Sequence, residues 1–516
     1  MRLLSLFLMA GLLSAHNSGP AMKLSERLVH RTLDNGMNIL LLPRPGAPQI
    51  GCVIYVDAGS AEEGPGETGL AHLLEHMAFK GTPHIGTRNW AVEKELLVRI
   101  EEAGTSVTRA RQAWPEDKAE VTRLAKVLRD LQREASKHTI RNEYDRIITM
   151  QGGQQVNATT SVDFTNYFMS IPSDKLEMWC LMESQRLMYP AWREFYEERD
   201  VVAEERRMRT EDTPSGRLYE EFLTAAFRAH PYKNPTIGWM TDINSLNITQ
   251  TADFYRRWYV PASMTLVLVG DLEIKTAMPL LEKYFGSLPA GPKPQRAHTL
   301  EPPQTGTRRS EVIFDAQPQI LLGWKKPALS HPDSAVFEVI QYVLTSSGRL
   351  SRLYDRLVTQ TGLATEVSSF TAPGDKYPGM LCIYVTPRPP HTSDEVERVV
   401  LEEVATLTTG TVSTSELGRV RNQIQAAFLK QVENNLDLAR NLGYSFLCTG
   451  DPHILDRLNE RMMAVTPEDI QRVSRMYLTG QNLTVATLKT GKPSTLMPAR
   501  PDPPPAPNSN STETAQ

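Results

Sequence analysis

The sequence predicts an α+β protein. Two homologous α/β sandwich domains stand in tandem, each an antiparallel-rich sheet with helices packed on it, and a charged helical hairpin is inserted in the first. Three observations predict it. Short apolar runs rich in β-branched residues alternate with longer stretches of helical periodicity. The segment Ser287 to Arg309, "SLPAGPKPQRAHTLEPPQTGTRR", is dense in Pro and Gly and reads as a linker between domains. The end of the first half, "WYVPASMTLVLVGDL", resembles the end of the second, "MYLTGQNLTVATLKT". Tyr259 and Tyr477 hold equivalent places there, each followed by an apolar strand beginning around Thr265 or Leu483. That correspondence marks two related units.

In chain order, Met1-Arg2 precedes "LLSLFLMAGLL", an apolar run too short to span a bilayer, with small residues at Ser14, Ala15 and Ala21. Residues 1–21 therefore read as a secretory signal peptide, which places the mature chain outside the cytoplasm, in the periplasm by preference with full secretion as the alternative. The first domain covers 22–286. "MNILLLPRP" and "QIGCVIYVDAGS" read as strands bounded by Pro and Gly, and Leu70, Leu73, Leu74 and Met77 then recur at helical spacing. From about 90 to 148 the chain turns highly charged. Val121, Leu124, Leu128 and Leu131 keep an apolar seam and "AWPED" supplies a break, so a helical hairpin projecting from the body is expected. "GGQQVNATTSVDFTNYF" reads as a strand pair, and two long helices follow it. The linker spans 287–309, the second domain 310–491, and 492–516 form a Pro-rich tail without apolar periodicity.

Composition excludes little. A net charge of −4 carries no electrostatic footprint for nucleic acid. No later run is long and apolar enough for a transmembrane helix. The four cysteines are isolated and sit mostly in apolar surroundings, as buried thiols do.

One stretch carries chemistry: "ETGLAHLLEHMAFKGT", Glu67 to Thr82. On a helix, positions four apart share a face, so His72 and His76 can point at one ion. Imidazole suits zinc. Glu75 lies between them in angle and can approach water at the ion without ligating. A catalytic zinc takes three protein ligands and keeps one open position, so a third ligand must come from elsewhere.

"HLLEH" followed by "MAFKGT" resembles the inverzincin signature of the pitrilysin/insulinase metallopeptidases, which include the mitochondrial processing peptidase. The resemblance implies a glutamate ligand on a downstream helix, and "ERDVVAEE", Glu198 to Glu205, matches that pattern. It places Glu205 on the ligand and Glu198 on a supporting acidic position. Seven residues make two helical turns, so these carboxylates share a face, while Glu204 turns away from Glu198. The interval from His76 is longer than the family shows, by about the length of the charged hairpin. The resemblance further implies one Zn²⁺ per chain, Glu75 as general base and Asn157 and Ala158 on an edge strand along a bound peptide. The family's Arg and Tyr that complete the site match Val358 and Thr365 here, within "GRLSRLYDRLVTQTGLATEV". Neither can donate a charged or phenolic hydrogen bond to a developing oxyanion. A metal-free partner subunit supplying that pair is expected, making this chain the metal-bearing half of a heterodimeric endopeptidase. Two readings compete with it: a non-catalytic assembly subunit and a peptide-binding chaperone on the same fold.

Overall fold

The computed structural model describes residues 24–492 apart from 115, 297–298 and 411. The segment read as a signal peptide and nearly all of the tail lie outside the described residues. The first half forms a six-stranded sheet of β1 (Val29–Thr32), β2 (Asn38–Pro43), β3 (Gln49–Val56), β4 (Gln154–Thr160), β5 (Thr165–Pro172) and β6 (Met264–Gly270), in the order β1-β2-β6-β3-β5-β4. The second half forms a five-stranded sheet of β7 (Arg308–Phe314), β8 (Gln319–Lys326), β9 (Ala364–Ala372), β10 (Gly379–Pro387) and β11 (Leu483–Thr490), in the order β7-β11-β8-β10-β9. Without β1, the two orders are the same. In each sheet one pair is parallel, β2 with β6 and β7 with β11, and the rest are antiparallel. The central strands are apolar on both faces, as "MTLVLVG" of β6 shows by being buried throughout. Both sheets are therefore covered on two sides.

The helices of the first half are α1 (Leu70–Met77), α2 (Trp90–Gln112), α3 (Lys118–Ser136), α4 (Glu143–Met150), α5 (Leu176–Met188), α6 (Phe195–Arg206), α7 (Pro214–Ala226), α8 (Met240–Ile243), α9 (Ile248–Trp258) and α10 (Ile274–Phe285). Those of the second are α11 (Ser334–Gln341), α12 (Arg352–Tyr354), α13 (Ser393–Thr409), α14 (Thr414–Gln431), α15 (Asn435–Thr449), α16 (Ile454–Ala464) and α17 (Pro467–Tyr477). The repeat visible in the sequence is thus α9 leading into β6 and α17 leading into β11. Each passes through one 3₁₀ turn, Pro261–Ser263 or Gly480–Asn482.

Two helices cross over. Leu218, Phe222, Leu223 and Ala226 of α7, in the first half, pack on Leu321, Met380, Ala486 and Leu488 of the second sheet. Leu436, Leu438, Ala439 and Leu442 of α15, in the second half, pack on Leu40, Val53, Tyr55 and Val267 of the first sheet. Each buried large side chain contributes about 2 kcal/mol, so the exchange locks the halves together. Glycines permit the close approach. A Cβ at Gly51 would lie 2.5 Å from Leu436 Cα, and one at Gly323 would lie 2.5 Å from Phe222 Cζ.

The charged segment forms α2 and α3, joined by the expected break, and adds α4, which the sequence reading did not separate. Asn89 caps α2 and Asp117 caps α3 through their side-chain oxygens. The root of the hairpin does not project. A Cβ at Gly104 would collide with the Tyr196 ring of α6. The fully buried Glu93 of α2 accepts from Arg193 Nε at 2.8 Å. Among the described residues the distal turn around Trp114 is exposed, and so is most of α3, which buries Leu128 and Ala135. The described residues between α10 and β7 hold no helix or strand, yet they are anchored. Glu301 accepts from the backbone N–H of Arg228, Ala229 and His230, at 2.8 to 3.1 Å. The four cysteines are buried and free, and among the described residues no helix is long and apolar enough to cross a membrane.

Candidate metal centre

α1 starts at Gly69, whose φ of 90° suits a residue without Cβ. The buried Glu63 satisfies its first turn, accepting from Gly69 N at 2.9 Å and Ala71 N at 2.8 Å. Leu70, Leu73, Leu74 and Met77 bury one face and leave His72, Glu75 and His76 partly exposed on the other. α6 lies across that face. It buries Tyr196, Arg199, Val202 and Ala203 and turns Glu198 and Glu205 towards α1, while Glu204 is exposed and pairs with Arg207.

His72 Nε2 stands 3.7 Å and His76 Nε2 3.5 Å from Glu205 Oε2, and the three ligand atoms lie within 4.8 Å of one another. His76 Nδ1 lies 3.2 Å from Glu198 Oε2. Donation from Nδ1 fixes the tautomer that leaves the Nε2 lone pair free for a metal. Burial, with His76 beside it, pushes His72 down to about 4, so its imidazole is neutral. Burial works to lower His76 as well, but hydrogen bonds to Glu198 and Glu205 prevail and raise it to about 9. Two imidazole nitrogens and a carboxylate on one point are a donor set that fits zinc, which would displace the proton His76 shares with Glu205.

Glu75 faces the end of β4. Burial pushes its carboxyl up, against hydrogen bonds from the Thr160 hydroxyl and backbone N–H. β4 is the outer strand of the sheet. The exposed Asn157 folds back so that its Oδ1 accepts from Ala158 N at 2.9 Å, covering an outward-pointing N–H, and Ala158 itself is buried. An opening of about 410 Å³ borders His72 and Glu205, walled by Thr160, Tyr219, Leu223, Lys233 and Ile237. Pro373 is the residue of the second half that lines it. Val358 is half-buried against the second-half core and the exposed Thr365 donates to Thr386 O, so neither reaches the opening. Arg352 and Arg356 are held by Glu416, Glu402 and Glu403.

Sequence reasoning passed over several residues here. Lys80 bridges Glu198 and Glu194, and Glu194 also holds Arg141, 3.1 Å away in the charged segment. Lys80 lies one helical repeat beyond His76, a spacing that could have flagged it. Thr160 shares strand parity with Ala158. Arg193 organises the turn after α1 by donating to Thr82 O and Ile85 O, and only the fold reveals it.

The description "Insulinase (Peptidase family M16)" belongs to a family model that matches residues 38–108 and 117–239, and "Peptidase M16 inactive domain" to one that matches 245–424. The chain belongs to peptidase family M16. All the residues singled out above at the metal centre and the edge strand, from His72 to Glu205, fall within the first match. A protein named zinc protease PqqE, from Helicobacter pylori, is 26% identical over 471 residues, 89% of this chain and 92% of its own. The β subunit of the mitochondrial processing peptidase of Lentinula edodes is 22% identical over 488 residues, 91% of this chain and 90% of its own. A crystal structure of a protease from Helicobacter pylori superposes with a TM-score of 0.75 at 25% identity, covering 90% of this chain and 99% of that one. The M16 fold, a mixed α/β architecture in two halves, is shared with these neighbours.

Proposed function

We propose that this chain is the metal-bearing subunit of a zinc endopeptidase that hydrolyses peptides or small unfolded proteins outside the cytoplasm. The observation that carries the reading is the meeting of His72, His76 and Glu205 on one point with Glu75 beside it at the end of an edge strand. His72, His76 and Glu205 would hold one zinc ion, which supplies Lewis acidity when bound, acidifying water and polarising a carbonyl. Glu198 orients His76 through Nδ1. Glu75 takes the proton from the attacking water on its carboxylate and delivers it to the nitrogen of the leaving amine. A substrate strand pairs with the outward N–H and C=O groups of β4 and displaces Asn157 Oδ1 from Ala158 N, so main-chain hydrogen bonds supply the grip. The donor for the oxyanion comes from a metal-free partner of the same family: among the described residues the second half brings Pro373 alone to the opening, and the cations of the first half there are engaged, Arg209 with Glu205 and Lys233 with Arg228 O.

Zinc content and hydrolysis of a quenched peptide, measured on the mature chain alone and with a partner, test this reading. Expected are one zinc per chain, activity abolished by chelation and by Glu75→Gln, and strong dependence on the partner. Full activity from the isolated chain would remove the partner from the proposal. A chain that binds no zinc would favour the assembly-subunit reading, to which the missing Arg and Tyr also point.

A further inference from the structure

The other face of the same sheet edge borders a second opening, of about 580 Å³, between first-half strands and second-half helices. Strand alternation decides what can reach it. Ala158 and Thr160 face α1, and Thr159, between them, faces away. Thr159 stands in a row across three strands, paired with Asn166 of β5, which is paired in turn with Tyr55 of β3. All three line the opening. A peptide strand added outside β4 would continue that row. Its residue directly opposite Thr159 would present its side chain on the same face.

The wall across from the row comes from α14 and α15. It brings Lys430, Arg440 and Asp437, two cations against one carboxylate, over aromatic rings of Phe164 and Tyr444. The Arg440 guanidinium lies 4.3 Å over the Phe168 ring. Among the described residues no carboxylate is recorded in an ion pair with Arg440 or Lys430, whereas Arg352 and Arg356 of the same half are each held by glutamates. Beside aromatic walls, charge recognition is less screened than in open water.

We propose that this opening is a substrate subsite that takes an acidic side chain, from the peptide residue opposite Thr159, through Arg440 and Lys430. The proposal rests on the reading of β4 as the substrate edge. The metal side of the edge then reads alternate residues of the peptide and the α14–α15 side reads those between, so selectivity comes from the half of the chain without metal ligands.

A set of peptides derived from one cleavable sequence, with each position in turn made Glu, Ala or Lys, tests it on the zinc-loaded protein in the oligomeric form that cuts peptides. One position near the scissile bond should prefer Glu over Lys by about tenfold or more in kcat/KM. Arg440→Glu and Lys430→Glu should erase or invert that preference, read within each variant as the ratio of kcat/KM for the Glu peptide to that for the Lys peptide. Lys430 is exposed, so its variant remains informative if the Arg440 variant folds poorly. Peptide affinity for the zinc-loaded Glu75→Gln chain, followed by fluorescence anisotropy, should show the same preference without turnover. Cleavage or binding with no charge preference at any position, a preference for Lys or aromatic residues, or a preference untouched by both variants would overturn the subsite. Failure of zinc binding and of cleavage would strike at the peptidase reading, and the same anisotropy titration on the zinc-free chain would still report on the subsite.

Discussion

In the first half the connection from β3 to β4 carries α1, whose His72, Glu75 and His76 stay partly exposed. In the second half the equivalent connection, from β8 to β9, carries α11, in which every residue except Glu338 is buried. The same contrast separates α6, with Glu198 and Glu205 turned towards α1, from α14, where Glu416 is spent on Arg352. The order of the five shared strands is identical, so the sheet imposes neither outcome. One half uses the helix after its second shared strand for packing, and the other keeps a polar stripe there at the expense of buried apolar area. In a duplicated fold, chemistry then depends on a few side chains at one end of one sheet, while the second copy supplies α15, a wall and a cover.

Four experiments would break or sharpen that contrast. The largest effect is expected from Glu205→Gln, which takes one donor from the proposed three-ligand site. Zinc affinity, measured by competition with a chelating dye, should fall on the order of a thousandfold, since structural zinc sites hold roughly 10–16 kcal/mol over their ligands. Next comes the helix exchange. Gly51→Ala drives a Cβ into the Leu436 backbone and should destabilise by about 3 kcal/mol in urea unfolding. Gly323→Ala meets side-chain atoms rather than backbone, the tip of the Phe222 ring most closely and then Met380 Cε and Cys382 Sγ, and should cost about 1 kcal/mol. Equal effects would mean that the two crossovers do not differ in tightness. Glu198→Gln keeps its shape but loses the charge behind His76 and should weaken zinc by roughly tenfold. The smallest effect concerns the tether between the halves. Three backbone N–H groups, outweighing burial, hold Glu301 down to about 2. Its contribution is present above the unfolded glutamate value of about 4.3 and is lost as pH falls through about 2. The melting temperature of Glu301→Gln should therefore lie below that of the parent at pH 6, and the gap should close between pH 4 and pH 2.

Much of the fold was legible because it rests on local periods. Alternation in "QIGCVIYV", the 3.6-residue spacing of Leu70, Leu73, Leu74 and Met77, and the matched segments at Tyr259 and Tyr477 all appear in the elements observed. The hairpin was legible as helices but not in its attitude. Gly104 looks like a helix weakness in the sequence, and only the approach of Tyr196 explains it. Lys80 was in view within the motif, yet its partners Glu194 and Glu198 lie more than a hundred residues away. The crossing of α7 and α15 left no local trace beyond two glycines in apolar strands.

The sequence by itself determined the elements, the pairing of His72 with His76 on one helical face, and the shared face of Glu198 and Glu205, because backbone geometry sets those relations within a few residues. Only the tertiary structure decided that the two faces meet, that Thr160 meets Glu75, and that helices of one half close the sheet of the other. Those contacts are selected by burial summed over the whole chain, and no window of sequence contains that sum.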